Sequence, residues 1–211
     1  MKIACLHTAE SNIAVFEAAA KDAGLAEGTL VHTVRPDLLA EAEKAGGLTQ
    51  AIARETASVL KALSENADAV VLTCSTLGPS IDGVAGRTPI LRADSALARQ
   101  AAAIGGRIVV LCAVETTLEP TTRLFEAEAG AHCEVRLVPG AWARFKSGDR
   151  DGYLSAISEA TEEAYREGAS IVALAQASMA GAAVLVRNGP KPLVSPVAAL
   201  AAAVRLVSQN A

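Results

Sequence analysis

Aromatic side chains make up only 3% of this 211-residue chain, so its core must be built from small aliphatics. These are plentiful: the hydrophobic content is 51%, enough to bury one large domain or two small ones. Cationic runs are also missing. Lys and Arg are scattered singly and the formal net charge is −4, which argues against a nucleic-acid surface. No apolar stretch is long enough to cross a bilayer, and the longest, Val197 to Val204, stops at Arg205. The start, Met1-Lys2-Ile3-Ala4-Cys5, enters a strand pattern without the apolar region and cleavage site of a signal peptide. A cytoplasmic protein is expected. The four cysteines, at 5, 74, 112 and 133, include no C-x-x-C pair, and His7, His32 and His132 have no H-x-x-x-H spacing. No zinc site is expected, and no disulfide in a reducing compartment.

What the chain does have is the stretch from Asn66 to Pro79. An apolar run, Ala69-Val70-Val71-Leu72, leads into Thr73-Cys74-Ser75-Thr76, and Gly78-Pro79 turns the chain. Short continuous apolar runs of this kind are buried parallel strands. In open α/β sheets ligands collect just past the carboxyl ends of strands, so Cys74 is expected at a strand tip facing a crevice. The plainer reading of a free cysteine is a small buried hydrophobe. Hydroxyls and N–H groups of Ser75 and Thr76 at the same tip suit a carboxylate.

Read in order, strands and helices alternate. Lys2–His7 is a strand, Ser11 or Asn12 caps a helix that Gly24 ends, and Thr29–Val34 is a second strand. Helices follow from Pro36 to Ala45 and from Thr49. After the Cys74 strand come a loop from Gly78 to Arg87, a short strand Pro89–Leu91, and a helix capped by Asp94. The second half reads alike: strand Arg107–Ala113, a helix capped by Thr116 or Thr117 through Ala129, strand Cys133–Val138 and helix Gly152–Glu167. Strand Ile171–Ala175, a helix from Ser178, strand Pro192–Val194 and a closing helix at Pro196 complete it. Such alternation implies parallel βαβ units. Three matched points recur at nearly constant offsets: His7 to Cys112 by 105, Cys74 to Gln176 by 102, and Pro89 to Pro192 by 103. The fold class is therefore α/β, with two similar Rossmann-like lobes, each a mainly parallel sheet flanked by helices, related by internal duplication. The cleft between the lobes is the expected ligand site.

A thiol followed by Ser and Thr at an apolar strand tip, about 100 residues before an equivalent tip, resembles the aspartate/glutamate/hydantoin racemase superfamily. The likeness covers nearly the whole chain: Ile3–Thr8, Pro89–Leu97, Ile108–Pro120 and Leu174-Ala175-Gln176-Ala177-Ser178-Met179 all take part. The resemblance implies a PLP-independent racemase or isomerase that uses no cofactor and moves a proton at the α-carbon of a small carboxylate. It also implies a homo-oligomer, a dimer in this family; the charge and hydropathy already argue against a nucleic-acid or membrane partner. The first lobe would be residues 1–95 plus 196–211, the second 96–195. In two-thiol members one cysteine removes the α-proton and the other returns a proton from the opposite face. A free thiol is only roughly 3% thiolate at pH 7, so the site is expected to lower the Cys74 pKa. Substrate carboxylates would be held by Thr8, Ser11, Asn12, Ser75, Thr76, Thr116, Thr117, Ala177 and Ser178.

The chain departs from the family where the reaction is decided. Gln176 stands in place of the second thiol and cannot act as acid or base near neutral pH, and Ala177 beside it carries no hydroxyl. Cys74, Gln176 and His7 are thus the candidate catalytic positions, His7 because it ends the first strand and titrates in the useful range. Cys112 is a second possible substitute; the bland reading of both is strand-end packing. Arg92 and Asp94 could form a carboxylate clamp, while Cys5, Cys133, His32, His132 and Trp142 are read as packing or surface residues. A decarboxylase of a malonate-like acid that uses a single thiol, or a carboxylate-binding protein without catalysis, are the alternatives.

Overall fold

The computed structural model describes residues 1–210, apart from the side chains of residues 131 and 210. Position 211 of the expected closing segment lies outside the described residues. The first sheet is built from β1 (Ile3–His7), β2 (Leu30–Val34), β3 (Ala69–Leu72) and β4 (Ile90–Arg92) in the order β2-β1-β3-β4, all parallel. Its helices are α1 (Ser11–Asp22), α2 (Pro36–Ala45) and α3 (Gln50–Ser64), and α4 (Ala93–Ile104) leads to the second sheet. There β5 (Ile108–Cys112), β6 (Cys133–Leu137), β7 (Ile171–Leu174) and β8 (Leu193–Val194) take the same order, β6-β5-β7-β8, again all parallel. α5 (Leu118–Ala129), α6 (Ala141–Lys146) and α7 (Arg150–Arg166) flank it, and α8 (Ser195–Asn210) closes the chain. The fold is α/β, with two similar lobes.

Alternation along each strand decides what packs where. From β1, Ala4 and Leu6 join Val70 and Leu72 of β3 beneath α2 and α3, where Leu38, Leu39, Ile52 and Leu60 meet them. Ile3, Cys5 and Val71 face the other way, into a cluster that also takes Ile108, Val110, Cys112 and Ala173 of the second sheet. Small helix faces make this shared core possible: Ala96, Ala98 and Ala101 of α4 and Ala198, Ala199, Ala202 and Ala203 of α8 are buried in it. Alanine-rich helices approach closely, which is how a chain poor in aromatics fills its interior. α8 packs chiefly on α4, and also on α1, β3 and β4 from the first sheet's side and on β8 from the second's. No helix among the described residues is long and apolar enough to cross a membrane.

The expected helix starts need correction at two places. Neither Ser11 nor Asn12 caps α1: the cap residue is Glu10, in αR geometry and without a side-chain cap bond. Asp94 lies inside the first turn of α4, whose cap is Arg92. The Asp94 carboxylate is buried and gripped by Arg92 at both oxygens, at 2.9 Å and 2.7 Å. Two of the five Arg92 N–H donors are spent on Asp94, and neither residue lines the cavity described below, so Arg92 and Asp94 form an internal pair. The residues after Gly78 form a 3-10 helix, Gly78–Gly83, and the helix expected from Ser178 is also 3-10, Ala177–Val184. α6 lies in a stretch the sequence reading left without an element.

Candidate active site

The strand order fixes where a site can be. From the carboxyl end of β1 the chain crosses to β2 on one side, while β3 lies on the other, so the loops after β1 and β3 part and leave a crevice. The same holds between β5 and β7. The two crevices meet in one narrow cavity of about 40 Å³, room for a few water molecules. The structure is thus closed, since a bound metabolite needs several hundred Å³.

Thr8 and Asn12 after β1, and Cys74, Ser75 and Thr76 after β3, line this cavity from the first lobe. Thr117 after β5, with Gln176, Ala177 and Ser178 after β7, line it from the second. Nine expected residues therefore share one space, and Cys74 and Gln176 bound the same cavity. The other three do not. Ser11 is exposed and borders a neighbouring depression with Phe145 and Arg150. Thr116 stands outside, but its hydroxyl oxygen lies 3.0 Å from that of Thr76, joining the lobes at the rim. His7 is fully buried beneath the tip, its Nδ1 3.0 Å from Thr73 Oγ1 and its Nε2 2.8 Å from His32 Nδ1. Burial first, and then His32, push its pKa down to about 4. It does not line the cavity, because residue 7 of β1 points to the same side as Cys5, toward α1, where its ring packs 5.2 Å from that of Phe16.

Cys74 is nearly buried at 8% exposure. Burial is the main influence on its thiol and pushes the pKa above the ordinary value, with Asp94 adding to it. The Thr8 hydroxyl and the N–H groups of Leu77 and Thr76 act in the opposite sense. The expected net lowering is therefore corrected for this closed form: the stabilising donors are in place, and desolvation outweighs them. A thiol whose pKa lies above 9 gains thiolate about tenfold per pH unit below that value. We expect iodoacetamide to alkylate Cys74 at a rate that climbs about tenfold per unit from pH 7 to 9, followed by mass spectrometry of its peptide. A plateau near pH 7 would show that the donors win.

Gln176 is held at both ends of its carboxamide. The Ala113 N–H donates to its Oε1 at 2.7 Å, and its Nε2 donates to Thr117 Oγ1 at 2.8 Å. Thr117 Oγ1 in turn donates a hydrogen bond to the Val114 carbonyl. One Gln176 N–H remains for a ligand. Asn12 Oδ1 is buried and has no partner, which marks the Asn12 amide as a second group aimed at a polar ligand. Among the described residues lining the cavity none is a cation, so a carboxylate here would rest on hydroxyl, amide and backbone N–H donors. Cys112 is fully buried in the shared core, its thiol pushed up to about 11 by burial, and acts as packing.

The sequence reading missed Thr73, Leu39, Trp142 and Phe145, which also line the cavity. Trp142 and Phe145 stack on α6 with ring centroids 4.8 Å apart, and Phe145 packs 5.2 Å from Tyr153. The Tyr153 hydroxyl holds Ser178 at 2.8 Å. Half of the chain's six aromatics thus fall within residues 142–153 and back the cavity; that concentration was the available signal. Trp142 also donates its Nε1–H to Glu43 of α2, tying α6 to the first lobe across the cavity mouth.

Comparison with known proteins agrees with this architecture. A search of curated proteins finds no match. Among solved structures, the aspartate racemase of Picrophilus torridus superposes with a TM-score of 0.69 at 14% identity, covering 100% of this chain and 94% of that one. The allantoin racemase of Pseudomonas fluorescens gives 0.66 at 19% identity, covering 99% and 92%. A glutamate racemase isoform of Bacillus anthracis gives 0.68 at 11% identity, covering 99% and 82%. At these identities the likeness establishes the fold. The sequence model of the Asp/Glu/Hydantoin racemase family matches residues 15–204, and the chain belongs to that family.

Proposed function

We propose that this protein is an isomerase that moves a proton at the α-carbon of a small carboxylate, with Cys74 as its acid and base and no cofactor. The observation that carries the reading is the placement of Cys74, a thiol at a strand tip lining a cavity whose other polar groups are neutral donors and acceptors. Its raised pKa means that the resting thiol is protonated and ready to donate. Proton removal requires the thiolate, which Thr8, Thr76 and Leu77 are positioned to stabilise. Gln176 cannot titrate, but its free N–H suits a substrate carboxylate or the enediolate oxygen that forms as the proton leaves.

Gln176 also favours a second reading. Loss of CO2 from a malonate-like acid leaves a carbanion that needs one proton from one side, so a single thiol suffices. One experiment separates the readings: a panel of dicarboxylates, hydantoins and substituted malonates incubated in deuterated water and followed by proton NMR. Deuterium at Cα without loss of carbon supports the isomerase; release of CO2 with deuterium in the product supports the decarboxylase. Ligand protection of Cys74 from alkylation without either reaction would identify a binding protein and sink both.

A further inference from the structure

Three soft donors meet in the first lobe although no spacing in the sequence brings them together. Cys5 and His7 lie two apart on β1 and point to the same side of the sheet, and the parallel register sets His32 of β2 directly beside Cys5. The Cys5 Sγ and one ring nitrogen each of His7 and His32 lie within 4.8 Å of one another. In a tetrahedral zinc site, bonds of about 2.0–2.3 Å put neighbouring ligand atoms about 3.3–3.7 Å apart. Small side-chain shifts close that difference.

The outer nitrogens argue further. A ligating histidine usually gives its second N–H to an oxygen acceptor, which fixes the tautomer and leaves the inner nitrogen bare. His32 Nε2 lies 2.9 Å from Glu17 Oε1 and His7 Nδ1 lies 3.0 Å from Thr73 Oγ1. The inner pair, His7 Nε2 and His32 Nδ1, face each other at 2.8 Å. Thr73 can serve either tautomer of His7, because its hydroxyl also reaches the Leu6 carbonyl at 3.0 Å. Without an ion, Thr73 donates to Nδ1 and His7 Nε2–H donates to His32. With an ion between the rings, Thr73 turns its proton to Leu6 and accepts Nδ1–H instead, so the switch costs no hydrogen bond.

We infer that Cys5, His7 and His32 form a binding site for a thiophilic divalent cation, zinc, with water as the fourth ligand on the side of half-buried His32. Burial holds the Cys5 thiol up to about 12, so the ion must displace its proton. The balance is simple: the Cys5 proton leaves to solvent, the His7 proton passes from Nε2 to Nδ1, and one proton is released per zinc bound. None of the three ligands lines the reaction cavity, which Thr8, next in the chain to His7, and Thr73, bonded to His7, both line.

The test uses Co2+ added to the full chain after dialysis against a chelator. Expected are saturation at one Co2+ per chain with release of one proton, a thiolate-to-cobalt charge-transfer band, and displacement of that band by Zn2+ with no further proton release. The band should vanish in Cys5→Ala and persist in Cys74→Ala. Glu17→Gln, on the exposed face of α1, should weaken Co2+ binding about ten- to a hundredfold by loosening His32. No charge-transfer band, a band that survives Cys5→Ala, or one lost in Cys74→Ala would overturn the inference. Should Cys5→Ala not fold, His32→Asn decides in its place, and unaltered Co2+ affinity there overturns it equally.

Discussion

Cys74→Ala is expected to lower α-proton exchange by about 10³-fold or more, the scale of a positioned acid–base group, while leaving the fold intact. The two effects separate by magnitude. A 10³-fold loss corresponds to about 4 kcal/mol of transition-state stabilisation. Removing one sulfur from the edge of the cluster beneath α2 and α3, where Cys74 sits, costs about 1 kcal/mol in packing. Urea unfolding should therefore move slightly while turnover collapses. Cys74→Ser is the sharper control. Its hydroxyl can still pair with Thr8 and the N–H groups around it, yet it does not ionise near neutral pH, so it should be as inactive as Ala at nearly full stability. Activity within tenfold of the parent in both variants would remove Cys74 from the chemistry.

The fold was legible wherever a local signal is unambiguous. β3 and β7 are fully buried four-residue strands, and continuous apolar runs between turn residues announce them. Thr49 was read as a helix start and accepts the Ile52 N–H at 3.3 Å. Ser11, Asn12 and Asp94 misled because side chains able to cap were present without the geometry. Asn12 is turned toward the cavity, and Asp94 is claimed by Arg92. The strand-tip residues of the site could be read because the βαβ order alone brings those tips together. The face on which a residue at the end of a strand points could not, and that decided His7. Nor could the meeting of Cys5 with His32, because it depends on the register between two strands joined through a helix. α6 was missed for a similar reason: six residues bounded by Gly140 and Gly148 are too short to show a helical period.

The substitution that most directly tests a one-thiol mechanism is Gln176→Cys. Cys74 and Gln176 follow equivalent strands, β3 and β7, and line one cavity from opposite lobes, so a thiol at 176 would face the side of a planar carbanion that Cys74 cannot reach. With Cys74 alone, a racemase substrate in deuterated water should exchange its α-proton with retention and invert slowly, and a decarboxylation should give one enantiomer. In Gln176→Cys, inversion relative to exchange should rise by about tenfold or more, a change of about 1.4 kcal/mol between the two faces, or the decarboxylation product should lose its handedness. Gln176→Ala makes the opposite comparison. It strips the acceptor from the Ala113 N–H and the donor from Thr117, leaving buried groups unpaired at about 1–3 kcal/mol, so exchange and inversion should slow together with their ratio unchanged. Deuterium incorporation and optical rotation followed in one reaction give both rates. Cys112→Ala and His7→Gln complete the set, since both residues lie outside the cavity in this closed form. Fast inversion by the parent protein that persists in both would mean that a second proton donor reaches the substrate, and that Cys74 does not act alone.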